Sequence, residues 1–186
     1  MAKRVCPWWL GYLLASPIRR LIHDPAQILA PYVREGMTVL EPGPGMGFFT
    51  LELARLVGAS GRVIAVDVQP KMLAGLKRRA ARAGLLERLD ARPVAADSLG
   101  VADLAGAVDF VLAFAVVHEL PTAQPFFAQA AAALKPGGAL LLAEPTGHVN
   151  ADEFQAQLRA AAQAGLEVVD RPSIRSSRTA ILKKSG

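Results

Sequence analysis

Thr38-Val39-Leu40-Glu41-Pro42-Gly43-Pro44-Gly45-Met46-Gly47-Phe48-Phe49-Thr50 is the stretch that decides the fold of this chain. An apolar run enters a turn with glycine at alternate positions (43, 45 and 47), and a second apolar run leaves it. Glycine lets the backbone bend sharply there and approach a ligand where any Cβ would collide. Residues 48–57 read as a helix whose N-terminal amides face the turn. Such a strand, turn and helix suit a nucleotide-like group. The dinucleotide fingerprint Gly-x-Gly-x-x-Gly, counted from Gly43, needs glycine at 48, where Phe48 stands. Glu41 in front would repel a pyrophosphate and suits a ligand that carries an ammonium group.

Outward from the turn, short β-rich runs alternate with helical ones. Strands are expected at 37–41, 61–67, 89–95, 108–114 and 139–143, and helices at 48–57, 70–83, 122–134 and 152–164. Pro70 opens the second helix, with Met72, Leu73 and Leu76 on one side and Lys77, Arg78, Arg79 and Arg82 largely on the other. Gly84 ends it. Lys135-Pro136-Gly137-Gly138 reads as a stop and turn before the fifth strand. This alternation argues for a parallel sheet covered by helices on both faces. The end of the chain departs from it. Residues 166–170 and 177–183 are strand-like with only a Pro/Ser/Arg loop between them, so they must pair antiparallel.

The order of these motifs over roughly residues 25–184 resembles the class I S-adenosylmethionine (SAM) methyltransferases, and particularly the small type 11 or UbiE-like group. The resemblance implies a Rossmann-like α/β fold with seven strands in the order 3-2-1-4-5-7-6, the last antiparallel, and helices on both faces. It implies SAM as cofactor. Glu41, Gly43, Pro44, Gly45 and Gly47 match motif I, whose glycines pack on the aminoacyl part of SAM in that family. Asp67 stands where the family has an acid that accepts hydrogen bonds from the ribose hydroxyls, with Val68, Gln69 and Met72 following it. Asp97-Ser98 falls where an acidic or amide side chain and a backbone amide receive the adenine; a helix cap is the plainer role for Asp97. Ala113 and Phe114, closing the fourth strand, complete the expected cofactor contacts.

Phe114-Ala115-Val116-Val117 lacks the Asn/Asp-Pro-Pro-aromatic signature with which base N-methyltransferases hold an exocyclic amine. His118-Glu119 follows directly. The imidazole of His118 can take a proton from a hydroxyl or amine; local hydrogen bonding or stacking over the cofactor is the preferred role. Glu144, at the end of the fifth strand, either orients a substrate or satisfies neighbouring amides. His118 and Glu144 are thus the catalytic candidates. His23 and His148 have no partner spacing that suggests a metal, and none is expected.

Composition narrows the rest. The chain has 186 residues, 52% hydrophobic, with no apolar run as long as a membrane span, so one soluble domain is expected. The lone Cys6 excludes an internal disulfide framework and points to a reducing cytoplasm. It also leaves too few thiols for the chemistry of the arsenite methyltransferases, which the chain otherwise resembles. Residues 1–36 lie outside the alternation and are expected to form N-terminal lid or cap helices over a SAM-binding domain at 37–186. Asp24-Pro25 begins one such helix, and Trp8, Trp9 and Tyr12 would line the lid. Lys3-Arg4 before an apolar run has the order of a secretory signal, but Pro7, the tryptophans and Pro17 speak against it; an interfacial membrane helix is the better rival.

The expectation is therefore a SAM-dependent methyltransferase acting on a small apolar or aromatic acceptor, as a monomer or homodimer. A net charge of +5 and basic clusters at Arg19-Arg20, 77–82 and 171–184 keep a tRNA or rRNA acceptor as the alternative. A SAM-binding module without turnover is the second alternative.

Overall fold

Short apolar strands set between amphipathic helices build a seven-stranded sheet in the computed structural model, which describes residues 22–185. The strand order is β3-β2-β1-β4-β5-β7-β6, as the family resemblance implies. Trp8, Trp9 and Tyr12 lie outside the described residues. Two compact units divide the chain between Val94 and Ala95.

In the first unit, α1 (Pro25–Leu29) starts as the sequence directs: Asp24 accepts from the Ala26 amide at 3.0 Å and Pro25 takes the first helical position. Strand β1 (Thr38–Pro42) pairs parallel with β2 (Arg62–Asp67), and β2 pairs parallel with β3 (Leu89–Pro93). Val39, Leu40, Val63, Ile64 and Ala65 are fully buried, the mark of strands covered on both faces. Each such Leu or Ile stabilises the fold by about 1.5–3 kcal/mol. Helix α3 (Pro70–Arg82) buries Met72, Leu73, Leu76 and Ala80 and leaves Lys77, Arg78 and Arg82 in water.

Helix α2 (Thr50–Leu56) begins two residues later than the sequence suggests. Residues 45–49 remain in turns because Gly47 has φ +87° and no side chain caps the helix at Phe49. Phe48 and Phe49 instead pack edge to face, with ring centroids 5.0 Å apart, and both are buried.

In the second unit, β4 (Val108–Phe114) pairs parallel with β5 (Leu134–Pro145), which pairs antiparallel with β7 (Ser177–Lys184); β7 pairs antiparallel with β6 (Leu166–Asp170). The terminal hairpin is thus present. Helices α4 (Gln124–Ala133) and α5 (Ala151–Gln163) pack here, α5 opened by a full capping box between Asn150 and Glu153, both bonds 2.9 Å. The core is Val111, Leu112, Leu140, Leu141, Leu142 and Leu182, all fully buried.

The fifth strand differs from expectation. It begins at Leu134, directly after α4, and Lys135-Pro136-Gly137-Gly138 forms an irregularity within the ladder. Leu134 pairs with Val108 and Ala139 with Phe110, so the extra residues bulge out. Gly137 supplies the left-handed backbone at φ +73°, and Lys135 Nζ pairs with Asp109 at 2.5 Å.

Candidate functional site

The glycine turn is held from three sides within the first unit. The Gly43 amide donates to the Val66 carbonyl at 2.9 Å, tying the turn to β2. The Gly47 amide donates to the Pro44 carbonyl at 3.0 Å and closes the bend. Arg79, which the helical pattern assigned largely to solvent, is half-buried, and its guanidinium bonds the Met46 carbonyl. A long-range bond of this kind leaves no periodic trace in sequence.

The glycines of the motif do different work. A Cβ at Gly47 would meet Leu76 Cδ1 at 2.5 Å, so this residue lets the turn lie against α3. A Cβ at Gly45, where φ is +55°, would meet nothing within 4 Å. The surface there is open for something other than the protein. Gly43 is exposed and Pro44 buried.

Beside the turn, Asp67 closes β2 with only 8% of its surface exposed. Its Oδ1 accepts from the Gln69 amide at 2.8 Å, and the amides of Gly45 and Val68 also point at the carboxylate. Burial nevertheless holds its pKa above the ordinary aspartate value, and the three amides only partly offset that desolvation. Glu41, at 4% exposure on β1, is the other buried acid of this unit. Val68 is exposed and Gln69 half-buried, whereas Met72 is 3% exposed and packs in the core.

In the second unit, Asp97 is exposed and Ser98 half-buried in the loop after residue 94. Gln129 of α4 fixes that loop: its Nε2 donates to the Asp97 carbonyl at 3.1 Å, and its Oε1 accepts from the Leu99 amide at 2.8 Å. The Ser98 hydroxyl accepts from the Gly100 amide at 3.0 Å. Ala113 is fully buried and Phe114 half-buried at the end of β4.

Just beyond β4, Ala115 takes a left-handed backbone at φ +56°, and a 3-10 turn over Val117–Glu119 follows. That turn presents His118 to Glu144. Glu144 is fully buried; its Oε1 accepts from the Val117 amide at 2.9 Å, and its Oε2 contacts His118 Nδ1. A carboxylate can only accept, so a Glu144 carboxylate takes this hydrogen bond from an Nδ1–H of His118 and leaves Nε2 on the far side of the ring. Nε2 in turn lies 3.4 Å from His148 Nδ1, with the rings edge to face at 5.4 Å. The structure thus lines up a buried carboxylate, a largely covered imidazole and an exposed imidazole.

His148 is the residue that sequence reasoning passed over. Its signal is its place, four residues beyond Glu144 in the connection leaving the C-terminal end of β5, where α/β folds collect their chemistry. Among the described residues no three His, Cys, Asp or Glu side chains group as metal ligands, and no helix is long and apolar enough to cross a membrane.

Residues 39–138, more than half of the chain, match the family model of a methyltransferase domain. An arsenite methyltransferase of Aquipseudomonas alcaligenes is 32% identical over 153 residues, covering 74% of this chain and 42% of that protein. A ubiquinone biosynthesis O-methyltransferase of Caulobacter vibrioides is 33% identical over 137 residues, covering 74% of this chain and 51% of that protein. The chain thus spans about half the length of these curated relatives. Among solved structures, a SAM-dependent methyltransferase from Aquifex aeolicus superposes with a TM-score of 0.84 at 24% identity, over 96% of this chain and 98% of that one. That likeness is one of fold.

Proposed function

From a chain that belongs to the class I SAM-dependent methyltransferase family, we propose transfer of a methyl group to a small acceptor whose proton leaves through His118. When bound, SAM supplies an electrophilic methyl on a sulfonium, so the protein must mainly position, desolvate and manage one proton.

The glycine turn suits the cofactor. Gly45 leaves open the space that a side chain would fill, and the Asp67 carboxylate beside it has the two acceptor oxygens that a ribose diol needs. Glu41 would meet the ammonium group, with Gly43, Pro44 and Gly47 shaping the bend. In the second unit Asp97 and Ser98, steadied by Gln129, are the adenine-binding candidates. Val68, Gln69, Ala113 and Phe114 would line the nucleoside, while Met72 acts from the core by holding α3.

The observation that carries the acceptor half is His118 held between Glu144 and His148. Glu144 fixes the imidazole with its basic Nε2 outward, the state in which it can accept a proton. A proton arriving there is shared across the 3.4 Å contact with His148, which is exposed and releases it to water. Residues 1–36 would close over the bound cofactor, with Trp8, Trp9 and Tyr12 excluding water. A metalloid acceptor does not suit a sequence with Cys6 alone.

The test is calorimetry followed by a metabolite screen with labelled SAM, with total RNA as a parallel acceptor. SAM and its demethylated product should bind, and NAD should not. Label transfer to a small molecule, lost in His118→Ala, is the expected result. Tighter binding of NAD than of SAM would sink the cofactor assignment. Salt-sensitive binding of structured RNA with methyl incorporation would transfer the assignment to a nucleic-acid acceptor.

A further inference from the structure

A cleft of about 250 Å³ opens in the second unit where the first turn of α5 meets the β6–β7 loop and the start of β7. Arg171, Arg178, Gln155 and Thr146 line it, over Ala151 and Phe154, and no acid is among its lining residues. The Arg178 Nε donates to the Val149 carbonyl at 3.0 Å, which fixes the guanidinium plane. Its terminal N–H groups have no partner among the described residues. Nor has the guanidinium of Arg171, whose backbone amide alone is engaged, by Asp170 at 2.7 Å.

Nearby acids are placed elsewhere. Glu153 is held in the α5 capping box, Asp170 takes the Arg171 amide, and Asp152 is exposed on the first turn of α5. Two cationic forks therefore face a cleft that contains no counter-charge. A planar fork with free terminal N–H groups matches a carboxylate, which accepts two parallel bonds. The apolar floor suits a hydrocarbon body, and the volume falls below that of pockets for drug-sized molecules.

Through Thr146 the cleft reaches the connection that carries His148. Thr146 is the first residue past β5 and His148 stands two residues on, in the same connection. Arg178 lies opposite Glu144 in the β5–β7 register.

We propose that this cleft binds a small aromatic carboxylate through Arg171 and Arg178. On the methyl-transfer reading, which this inference extends, that carboxylate is the handle by which the acceptor is held. The experiment titrates benzoate into the full chain by calorimetry, with benzyl alcohol, inorganic phosphate and a short single-stranded RNA as comparators. Arg171→Gln removes an exposed, unpartnered guanidinium, and Arg178→Lys keeps the charge but loses the fork. Benzoate should saturate one site and bind at least tenfold more tightly than benzyl alcohol. Each variant should weaken it at least threefold with the melting temperature unchanged in Arg171→Gln. With hydroxybenzoates as methyl acceptors, Arg171→Gln should raise KM and leave kcat alone.

Equal binding of benzyl alcohol, full benzoate affinity in Arg171→Gln, or displacement of benzoate by phosphate or RNA at lower concentration would each overturn the proposal. SAM titrated into the same samples separates the two claims. SAM binding without benzoate binding removes the carboxylate site and leaves methyl transfer standing; benzoate binding without SAM does the reverse.

Discussion

Asp67 at the end of β2 and Glu144 near the end of β5 are both buried carboxylates, at 8% and 0% exposure, yet their surroundings differ in kind. Among the described residues Asp67 is met by backbone amides alone, from Gly45, Val68 and Gln69, and burial keeps its pKa raised. Glu144 is met by one amide and by an imidazole that can become a cation. Neutral dipoles leave a carboxylate short of stabilisation, so a ligand that donates hydrogen bonds gains by binding to it. An imidazole partner completes the pair inside the protein, and on the proposed reading that pair handles a proton. On the proposed reading the first unit receives donors from a ligand, whereas the second already holds its own.

Breaking the receiving half should give the largest effect. Gly45→Val fills the open side of the turn, and calorimetry should find SAM binding lost while cooperative melting persists, since a Cβ there meets no atom of the described residues within 4 Å. A left-handed backbone at this position adds a strain of about 1–2 kcal/mol. Gly47→Ala is the control: it strikes Leu76, so there the melting temperature should fall. If Gly45→Val binds SAM normally, the open turn is not the cofactor cradle.

Next in size comes the proton-handling half. His118→Ala should lower kcat by roughly 10²–10⁴ with SAM affinity kept, the range for a lost general base. Glu144→Gln keeps an acceptor for the Val117 amide but lets the imidazole choose its tautomer, so its loss should be partial. An unchanged kcat in both variants would reduce the array to a structural hydrogen bond.

Asp67→Asn sharpens the comparison from the other side. Losing the charged acceptor should weaken SAM by about 1–3 kcal/mol. The same change should raise the melting temperature of the ligand-free protein, because a buried charge is replaced by a neutral amide. Glu144→Gln should not raise it, since that carboxylate has its partner in place.

The smallest effect is a proton count. With a raised native pKa, Asp67 favours the fold most below the unfolded value near 3.8, and that contribution falls as pH rises through the native value. Donors from the ribose would pull the pKa back down. SAM should therefore bind more tightly as pH rises through this acidic window, releasing a fraction of a proton. Calorimetry in two buffers of different ionisation enthalpy measures it, and Asp67→Asn should abolish the release.

Much of this was legible in the chain because it is local. The alternation of apolar runs, Pro70 and Gly84 bounding α3, and the gap too short for a helix between β6 and β7 follow from propensity and spacing within a few residues. The glycine turn, Asp67 and Glu144 stood out because each ends a strand. What escaped was set by partners distant in sequence: Arg79 on the Met46 carbonyl, the bulge at Gly137 against Val108 and Phe110, and His148 on His118 thirty residues away. The start of α2 moved because Gly47 takes a left-handed backbone and no side chain caps the helix at Phe49. The sequence by itself determined the succession of strands and helices along the chain and the chemistry at the strand ends, since those depend on composition and short-range spacing; the order of strands across the sheet came only with the family resemblance. Only the tertiary structure decided which carboxylate gained an imidazole and which kept amides alone, because a side chain's partner depends on strand order and register, which bring distant residues within hydrogen-bonding distance.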